Sequence, residues 1–469
     1  MPLWPLLLAA PLAALAVVQP LAAVVAVVLV GLVAALRTRP VARVAAPFVA
    51  LTAIAALAGP NLAVPGAPWL FLFRIMIVLL GLGTLGYLLM EGRLVASGAI
   101  GVPAALLGLM VAWSVMSLAW ADDTVAALRW TLFLSMMGAL ALALPLAFGT
   151  RRRAIRLLIV LGAAFAVFSL ISLLEIVLGV RLPTSRLAGR SADTAFAATS
   201  VFGNENNFAT YLTLTLPYLL TLPIVFRDVR LRALGLVGGG AALLALLFTG
   251  SKANILATGL ILIGLLLFLG TDVRQRRRVL VAAVITVLAV LLVVPALAGS
   301  GVVRLPERAV SKFSFTILQE QVEQGTGSGA VRSSLLSDGL DLLVETGGVG
   351  VGAGNAETSV RSVEENPVVA NLHNWWLEVT VNLGLVGISL YVCFYLFLLT
   401  RQLRAARRTR DPLVRYLATA GGVTLVGFVA GSLGPSTMIH FAPMWITFGL
   451  AMLTIVLARR AADAGGRLP

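Results

Sequence analysis

The side chains best suited to chemistry on an anion in this sequence are Arg186, Arg190, Lys252, Arg332, His373 and His440. A guanidinium makes paired hydrogen bonds to phosphate oxygens, and a lysine ammonium offers a compact point charge. His373 stands in "NLHNWWLEVTVNLGLVG", residues 371–387, directly before Asn374. Near neutral pH its unprotonated imidazole can accept the proton of a hydroxyl nucleophile. Each residue also has a plainer reading. A cation can pair with a nearby carboxylate or touch a lipid headgroup, and a lone histidine at a membrane interface can be solvated or structural. Asp122 and Asp123 are adjacent carboxylates. Without further ligands they are a weak metal signal, and a charged turn suits them better.

The elements that must position these groups are membrane spans. The chain has 469 residues, 59% hydrophobic and only 12% charged, with mean hydropathy +1.00. Soluble domains carry roughly 25% charged residues. Apolar runs near the length that crosses a bilayer as a helix recur from end to end, without the alternation of a barrel strand. They fall near residues 2–18, 20–36, 44–59, 70–90, 99–119, 125–148, 155–178, 205–226, 233–250, 253–270, 279–298, 376–399, 413–432 and 442–458. The first three are short or interrupted by proline, so the expectation is an all-α polytopic protein with about 12–14 transmembrane helices. The first run reads as a retained span, since no Lys or Arg precedes it. Cys393 is the sole cysteine and lies within a span, so no intrachain disulfide can form.

A net charge of +15 and a pI near 11.3 would suggest nucleic acid in a soluble protein. Here the positive residues gather in alternate loops, as the positive-inside rule requires of cytoplasmic loops. One side takes Arg37, Arg39, Arg43, Arg93, "RRRAIR", Arg227, Arg230, Arg232, "RQRRR", the run Arg401 to Arg415 and the tail from Arg459. The basic excess is therefore a topology signal, nucleic-acid binding has no support, and both termini are expected in the cytoplasm. The opposite side is net acidic, yet it holds Arg186, Arg190, Lys252, Arg332, His373 and His440. Cations on a face that the rule depletes point to an anionic substrate.

Three regions follow: helices 1–11 with an outer loop at 180–204 in residues 1–298, a large extracytoplasmic loop in 299–375, and C-terminal helices with a cytoplasmic tail in 376–469. A connection as long as 299–375 is usually functional or disordered. Within it Val331, Leu335, Leu336, Leu340, Leu343 and Val344 recur at helical spacing, before a glycine stop at Gly347 and Gly348. The run "GGVGVGAGN" could cradle phosphate through backbone N–H groups. It lacks the Lys-Ser/Thr of a P-loop, and a helix stop with a tight turn is the better reading. Trp375 and Trp376 fit an interfacial aromatic belt.

In "HNWWLEVTVNLGLVG", His373, Asn374, Gly384 and Gly387 fall on the pattern His, Asn/Ser/Gln, nine residues, Gly, two residues, Gly. This resembles the O-antigen ligase and O-antigen polymerase superfamily of bacterial envelope glycosyltransferases. "FGNENNFATYLTLTLP" is similar to that family's Gly-Asn-x-Asn segment, "TGSKANILA" to its Ser-Arg turn, and "VRSSLLSDGLDLL" through "GVGAGN" to its loop helix. The resemblance implies a large membrane glycosyltransferase (GT-C-like) architecture. It also implies a transferase on the outer face of the bacterial cytoplasmic membrane that moves a glycan from polyprenyl (undecaprenyl) diphosphate to a sugar hydroxyl of an envelope glycan or lipid-linked acceptor. It implies no nucleotide sugar, no metal and no other cofactor. Carried over, Arg332 matches the loop-helix arginine and would contact the diphosphate. Lys252 stands where the family usually has arginine. Arg186 or Arg190 matches the arginine before the Gly-Asn segment, Asn374 joins the diphosphate set, and His373 would activate the acceptor or orient the diphosphate.

Two rivals predict different features. A lipid-linked glycan flippase would place charged or broken-helix sites near mid-membrane with internal symmetry. A metal-dependent glycosyltransferase would use Asp122 or Asp123. Ligase and polymerase share donor and motifs, so the residues leave that pair open.

Overall fold

The computed structural model describes residues 41–91, 98–189, 197–268, 327–360, 371–435 and 439–465, with isolated positions 277 and 281. The expected spans at 2–18, 20–36 and 279–298, the residue Arg190, and the stretch 299–326 lie outside the described residues.

The described chain is almost entirely helical: α1 Val41–Ala58, α2 Leu72–Glu91, α3 Gly101–Met116, α4 Thr124–Phe148, α5 Arg151–Leu178, α6 Glu205–Val225, α7 Val229–Thr249, α8 Lys252–Phe268, α9 Gly327–Glu345, α10 Ala356–Ser359, α11 Trp375–Arg408, α12 Pro412–Gly431 and α13 Ala442–Gly465. A two-stranded antiparallel hairpin, β1 Ala63–Val64 and β2 Ala67–Phe71, joins α1 to α2. Among the described residues nine helices are long and apolar enough to cross a membrane, and two shorter apolar helices begin at Leu72 and Lys252. The protein is a multi-pass membrane protein, and most described helices begin within a few residues of the apolar runs, while α11 and α13 continue past them through their arginine-rich ends to Arg408 and Gly465.

Polar caps fix those boundaries, because the first N–H groups of a helix have no partner inside it. Asp123, Asn204, Asp228, Asn374 and Asp411 each accept a backbone N–H at the start of α4, α6, α7, α11 and α12.

The centre of the bundle is α12, flanked by α6, α8, α11 and α13. Hydrophobicity cannot drive helices together in lipid, so close packing through small residues has to. A side chain on Gly422 would strike Phe268, and one on Gly427 would strike Ile261. A buried polar knot ties the same helices: Asn254 Nδ2 donates to Thr210 Oγ1 (3.1 Å) and Ser251 Oγ (3.0 Å), while Asn254 Oδ1 accepts from Thr213 Oγ1 (2.8 Å).

The bundle has two unlike ends. At one, Arg151 pairs with Asp411 at 2.5 Å and Arg460 donates to the Gly149 carbonyl at 2.6 Å, which draws three of the arginine-rich clusters together. At the other end lie Arg186, Arg332, His373 and His440, with the helix α9 laid against α11.

Candidate active site at the start of α11

The loop helix α9 stops where Gly347 and Gly348 adopt φ values of +60° and +82°, and their N–H groups bond to the Val344 and Leu343 carbonyls. This is a Schellman-type ending, for which glycine is the natural residue. The chain then runs through 349–356 against α11 and the α3–α4 turn. The Val351 N–H bonds to Val381 O at 2.9 Å, Ala353 N–H to Ser117 Oγ at 3.0 Å, and Ala356 N–H to Asn382 Oδ1 at 3.0 Å. Asn355 Oδ1 accepts from the Asp123 N–H at 2.7 Å. These amides already have partners inside the protein, so the glycine-rich run is a docking turn and not a phosphate cradle.

Gly384 makes that docking possible. It breaks α11 with φ +64° and ψ −163°, and a Cβ there would lie 2.3 Å from the backbone of Gly348 and Val349. Leu385 N–H, displaced from the helix, bonds to Gly348 O at 2.8 Å, and the Trp113 indole donates to Leu383 O at 2.8 Å. The spacing from His373 to Gly384 is thus the length of the first, shorter segment of α11, from its cap to the point where α9's exit crosses it.

Between those points α9 packs on α11. Leu335 is buried with Leu377, Val381, Leu372, Ala356 and Val360 in a small separate core, and Gly339 sits against Leu377 and Val381. Arg332 lies one turn before Leu335, and His373 one turn before Leu377, so the packed seam carries the two toward each other. The rest of the apolar stripe behaves differently from expectation: Leu336, Leu340 and Val344 are exposed.

His373 is held just outside the cap. Asn374 Oδ1 accepts from Trp376 N–H (3.1 Å) and Leu377 N–H (3.3 Å), and Trp375 N–H bonds to Ser432 O at 3.2 Å. His373 itself has φ +50°, a left-handed conformation that costs a non-glycine residue free energy and that functional sites retain. Its Nδ1 is buried without a hydrogen-bond partner among the described residues. Burial, then the Arg332 charge, and more weakly Arg186, hold the imidazole below its ordinary pKa, against a contrary pull from the Pro435 and Gly434 carbonyls. The ring is therefore neutral at physiological pH and able to accept a proton. Burial also lowers the pKa of Arg332.

Arg186 reaches this group from the loop before α6. Its guanidinium forms a two-pronged pair with Glu205, Nε to Oε2 at 2.7 Å and Nη2 to Oε1, and its N–H bonds to Gly203 O at 2.8 Å. Gly203 has φ +67°, and a Cβ there would lie 2.8 Å from the Thr184 carbonyl. The Gly-Asn-x-Asn segment is thus a left-handed turn, a cap at Asn204, and Asn207, whose buried Oδ1 has no hydrogen-bond partner among the described residues.

Of the residues read from sequence, His373, Arg332 and Arg186 come together. Lys252 is exposed at the first position of α8, two residues before Asn254, and Asn254 packs against Gly434. Asn374 serves as the helix cap. Asp123 caps α4, accepting from Ala126 N–H at 2.9 Å, as a turn residue does. Among the described residues no group of three or more His, Cys, Asp or Glu could hold a metal. The belt reading fails for Trp375, which is fully buried and packs edge-on to Tyr391 with centroids 5.6 Å apart.

Two buried carboxylates escaped the sequence reading. Glu175, in the last turn of α5, accepts from Thr199 N–H (2.8 Å), Thr199 Oγ1 (2.9 Å) and Ser200 N–H (2.7 Å), and so anchors the loop that leads to Gly203. An acid at a helix C-terminus opposes the helix dipole, and that mismatch in "SLLEIVLG" was the available signal. Glu378, in the first turn of α11, accepts from the Trp130 indole at 3.3 Å.

An apolar cavity among the described residues lies away from this cluster. About 790 Å³ in volume, it runs along α5, α6, α7 and α13 between apolar walls that include Leu158, Phe165, Leu214 and Leu450. Its upper lining includes Tyr211, six residues beyond Glu205 on α6, so it starts roughly 9 Å along the helix axis from the Arg186 pair.

The half-buried His373 imidazole, within electrostatic reach of Arg332 and of the Glu205-paired Arg186 and just before the broken helix α11, forms a candidate site for an anion. Residues 238–392 match the O-Antigen ligase family, a segment that contains Lys252, Arg332, His373, Gly384 and Gly387. The chain is also 27% identical over 271 residues to the teichuronic acid biosynthesis protein TuaE of Bacillus subtilis (strain 168), covering 56% of this chain and 53% of that protein. By these two matches the chain is similar to the O-antigen ligase superfamily. It spans about half the length of the curated relative it matches.

Proposed function

We propose that this protein is a glycosyltransferase that moves a glycan from polyprenyl (undecaprenyl) diphosphate to a sugar hydroxyl of a lipid-linked or envelope glycan, on the extracytoplasmic face of the bacterial cytoplasmic membrane. The observation that carries this reading is the packing of α9, with Arg332, against the start of α11, with His373, together with Arg186 held by Glu205 within electrostatic reach of that histidine. The acceptor oxygen attacks the anomeric carbon and its proton passes to His373. The bond from that carbon to the diphosphate oxygen breaks, and its electron pair leaves with the diphosphate. Attack opposite the leaving group inverts the anomeric configuration. Negative charge grows on the leaving group, and preorganised cations that stabilise it lower the barrier. Arg332 is the principal contact. Arg186, already ordered by Glu205, contributes a second charge, and Lys252, Arg190 and the Asn374 amide complete the set.

The apolar cavity along α5 and α6 suits the polyprenyl tail, since its near end lies below the cationic group. The teichuronic acid relative supports a place in envelope polysaccharide assembly. Ligase and polymerase differ only in acceptor.

The test is transfer by purified protein given undecaprenyl-diphosphate glycan and candidate acceptors, with product length read by gel or mass. His373→Ala and Arg332→Ala should each lower transfer by about 100-fold or more at unchanged protein level. Retained activity in both variants refutes the site. Activity should also persist in excess chelator, whereas its loss would revive Asp122 and Asp123.

A further inference from the structure

The His373 end of the bundle carries a second group of cations that the transfer site leaves unused. Arg74 lies in the first turn of α2, and Arg129 lies near the start of α4 with Phe133 one turn further along the same face. The Arg74 guanidinium stands 4.6 Å from the centre of the Phe71 ring and 5.6 Å from that of Phe133. Phe133 in turn lies 5.3 Å from the His440 imidazole, at an interplanar angle of 50°. Arg74 Nη1 donates to the Trp69 carbonyl. Arg129 is near enough to Arg74 for their charges to repel.

Neither arginine has an ion pair among the described residues. The acids nearest in sequence do not supply one: Asp123 caps α4, and Asp122 is exposed without a salt bridge. Aromatic faces favour one guanidinium, but they do not cancel the repulsion between two. Arginines within helices apolar enough to cross a membrane are uncommon, and those retained often serve an ion or substrate. The protein around the His440 imidazole, and then the Arg74 charge, keep it below its ordinary pKa. A group of this kind lacks a negative charge.

Its place relative to His373 suggests what brings that charge. The turn between α12 and α13 touches His373 through Gly434 and Pro435 at one end, and holds His440 at the other. The next residue, Phe441, lies 6.2 Å from Phe202, which precedes Gly203 and Asn204 of the first site. The two cationic groups therefore flank one short wall.

We infer that Arg74, Arg129 and His440 form a second anion site, which binds an acidic group, phosphate or carboxylate, on the acceptor glycan. This rests on the transferase reading above. A transfer between two glycans that each carry an anion needs two separate anion sites, so that the acceptor hydroxyl rather than its charge faces the anomeric carbon.

The test uses the full chain in nanodiscs of phosphatidylcholine. The probes are a glucuronate-containing oligosaccharide, its neutral glucose counterpart, inorganic phosphate and undecaprenyl diphosphate, each titrated alone by tryptophan fluorescence and the oligosaccharides also as acceptors. Arg74→Gln and Arg129→Gln should weaken the acidic oligosaccharide about tenfold, while affinity for undecaprenyl diphosphate stays within about twofold. Arg332→Gln should do the reverse. Arg129 is exposed, so its variant guards against misfolding at Arg74, and Arg74→Lys should restore much of the preference for the acidic acceptor. The inference fails if acidic and neutral oligosaccharides respond alike. It fails if the two arginine variants lose undecaprenyl diphosphate as Arg332→Gln does, which would assign them to the donor. It fails too if only phosphatidylglycerol added to the nanodiscs, or inorganic phosphate without the saccharide, distinguishes variant from parent. A parent protein that binds the acidic oligosaccharide but not undecaprenyl diphosphate would overturn the donor reading and leave this site standing.

Discussion

His373 combines three features that rarely occur together by accident: a left-handed backbone, a buried Nδ1 without a partner, and two guanidiniums close enough to depress its pKa. The sign of that depression makes a pH prediction. A proton acceptor must be neutral, so transfer should be lost as pH falls through the His373 pKa, which lies below the ordinary value of about 6.5. Arg186→Gln removes one charge that lowers the pKa. That change favours imidazolium, so the acid limb of the rate profile should move to higher pH. A limb that stays fixed or moves lower would separate His373 from the proton transfer. The strained backbone gives an independent outcome. His373→Gly should abolish transfer yet raise the unfolding free energy by about 1 kcal/mol, because glycine adopts that conformation without strain. A destabilised glycine variant would show that the ring is there for packing.

At the scale of elements, the contact between α9 and α11 determines whether the cations meet the histidine. Gly384 is the position where this contact tolerates no side chain, since a Cβ would overlap the backbone of Gly348 and Val349. Gly384→Ala should cost about 3 kcal/mol or more, seen as a lower thermal midpoint in detergent together with loss of transfer. An alanine variant of full stability and activity would mean that α9 docks elsewhere. The helices themselves were legible in the sequence, because apolar runs near bilayer length, capped by Asp or Asn, leave little choice of structure. The loop helix was legible through its spacing and glycine stop. Its buried face was not, since Leu335 packs inward while Leu336, Leu340 and Val344 stay exposed. That choice depends on α11, which lies far along the chain. The Arg186–Glu205 pair, the burial of Trp375 and the ties from Glu175 to Thr199 and Ser200 were hidden for the same reason: each joins segments whose approach only the folded bundle determines. The histidine and the loop arginine were singled out by their likeness to a family pattern, and the structure places both near helix starts.

At the scale of the whole molecule, the two ends differ in charge and in what they hold. The Arg151–Asp411 and Arg460–Gly149 contacts gather arginine clusters at one end, and the His373 group occupies the other. Positive loops stay in the cytoplasm because translocating them is unfavourable, so the His373 end should face outward, as the proposed lipid-linked donor requires. The prediction can be checked by cysteine labelling in intact cells. Cys393 is exposed and must first be removed as Cys393→Ser. In that background Ser337→Cys, on the exposed side of α9, should react with a membrane-impermeant maleimide added to whole cells. Arg407→Cys, exposed near the last turn of α11, should react only after the cells are permeabilised. The reverse pattern would put His373 and its arginines in the cytosol. A lipid-linked donor that has already crossed the bilayer could not reach them there, and the same cations would instead have to serve a cytosolic substrate.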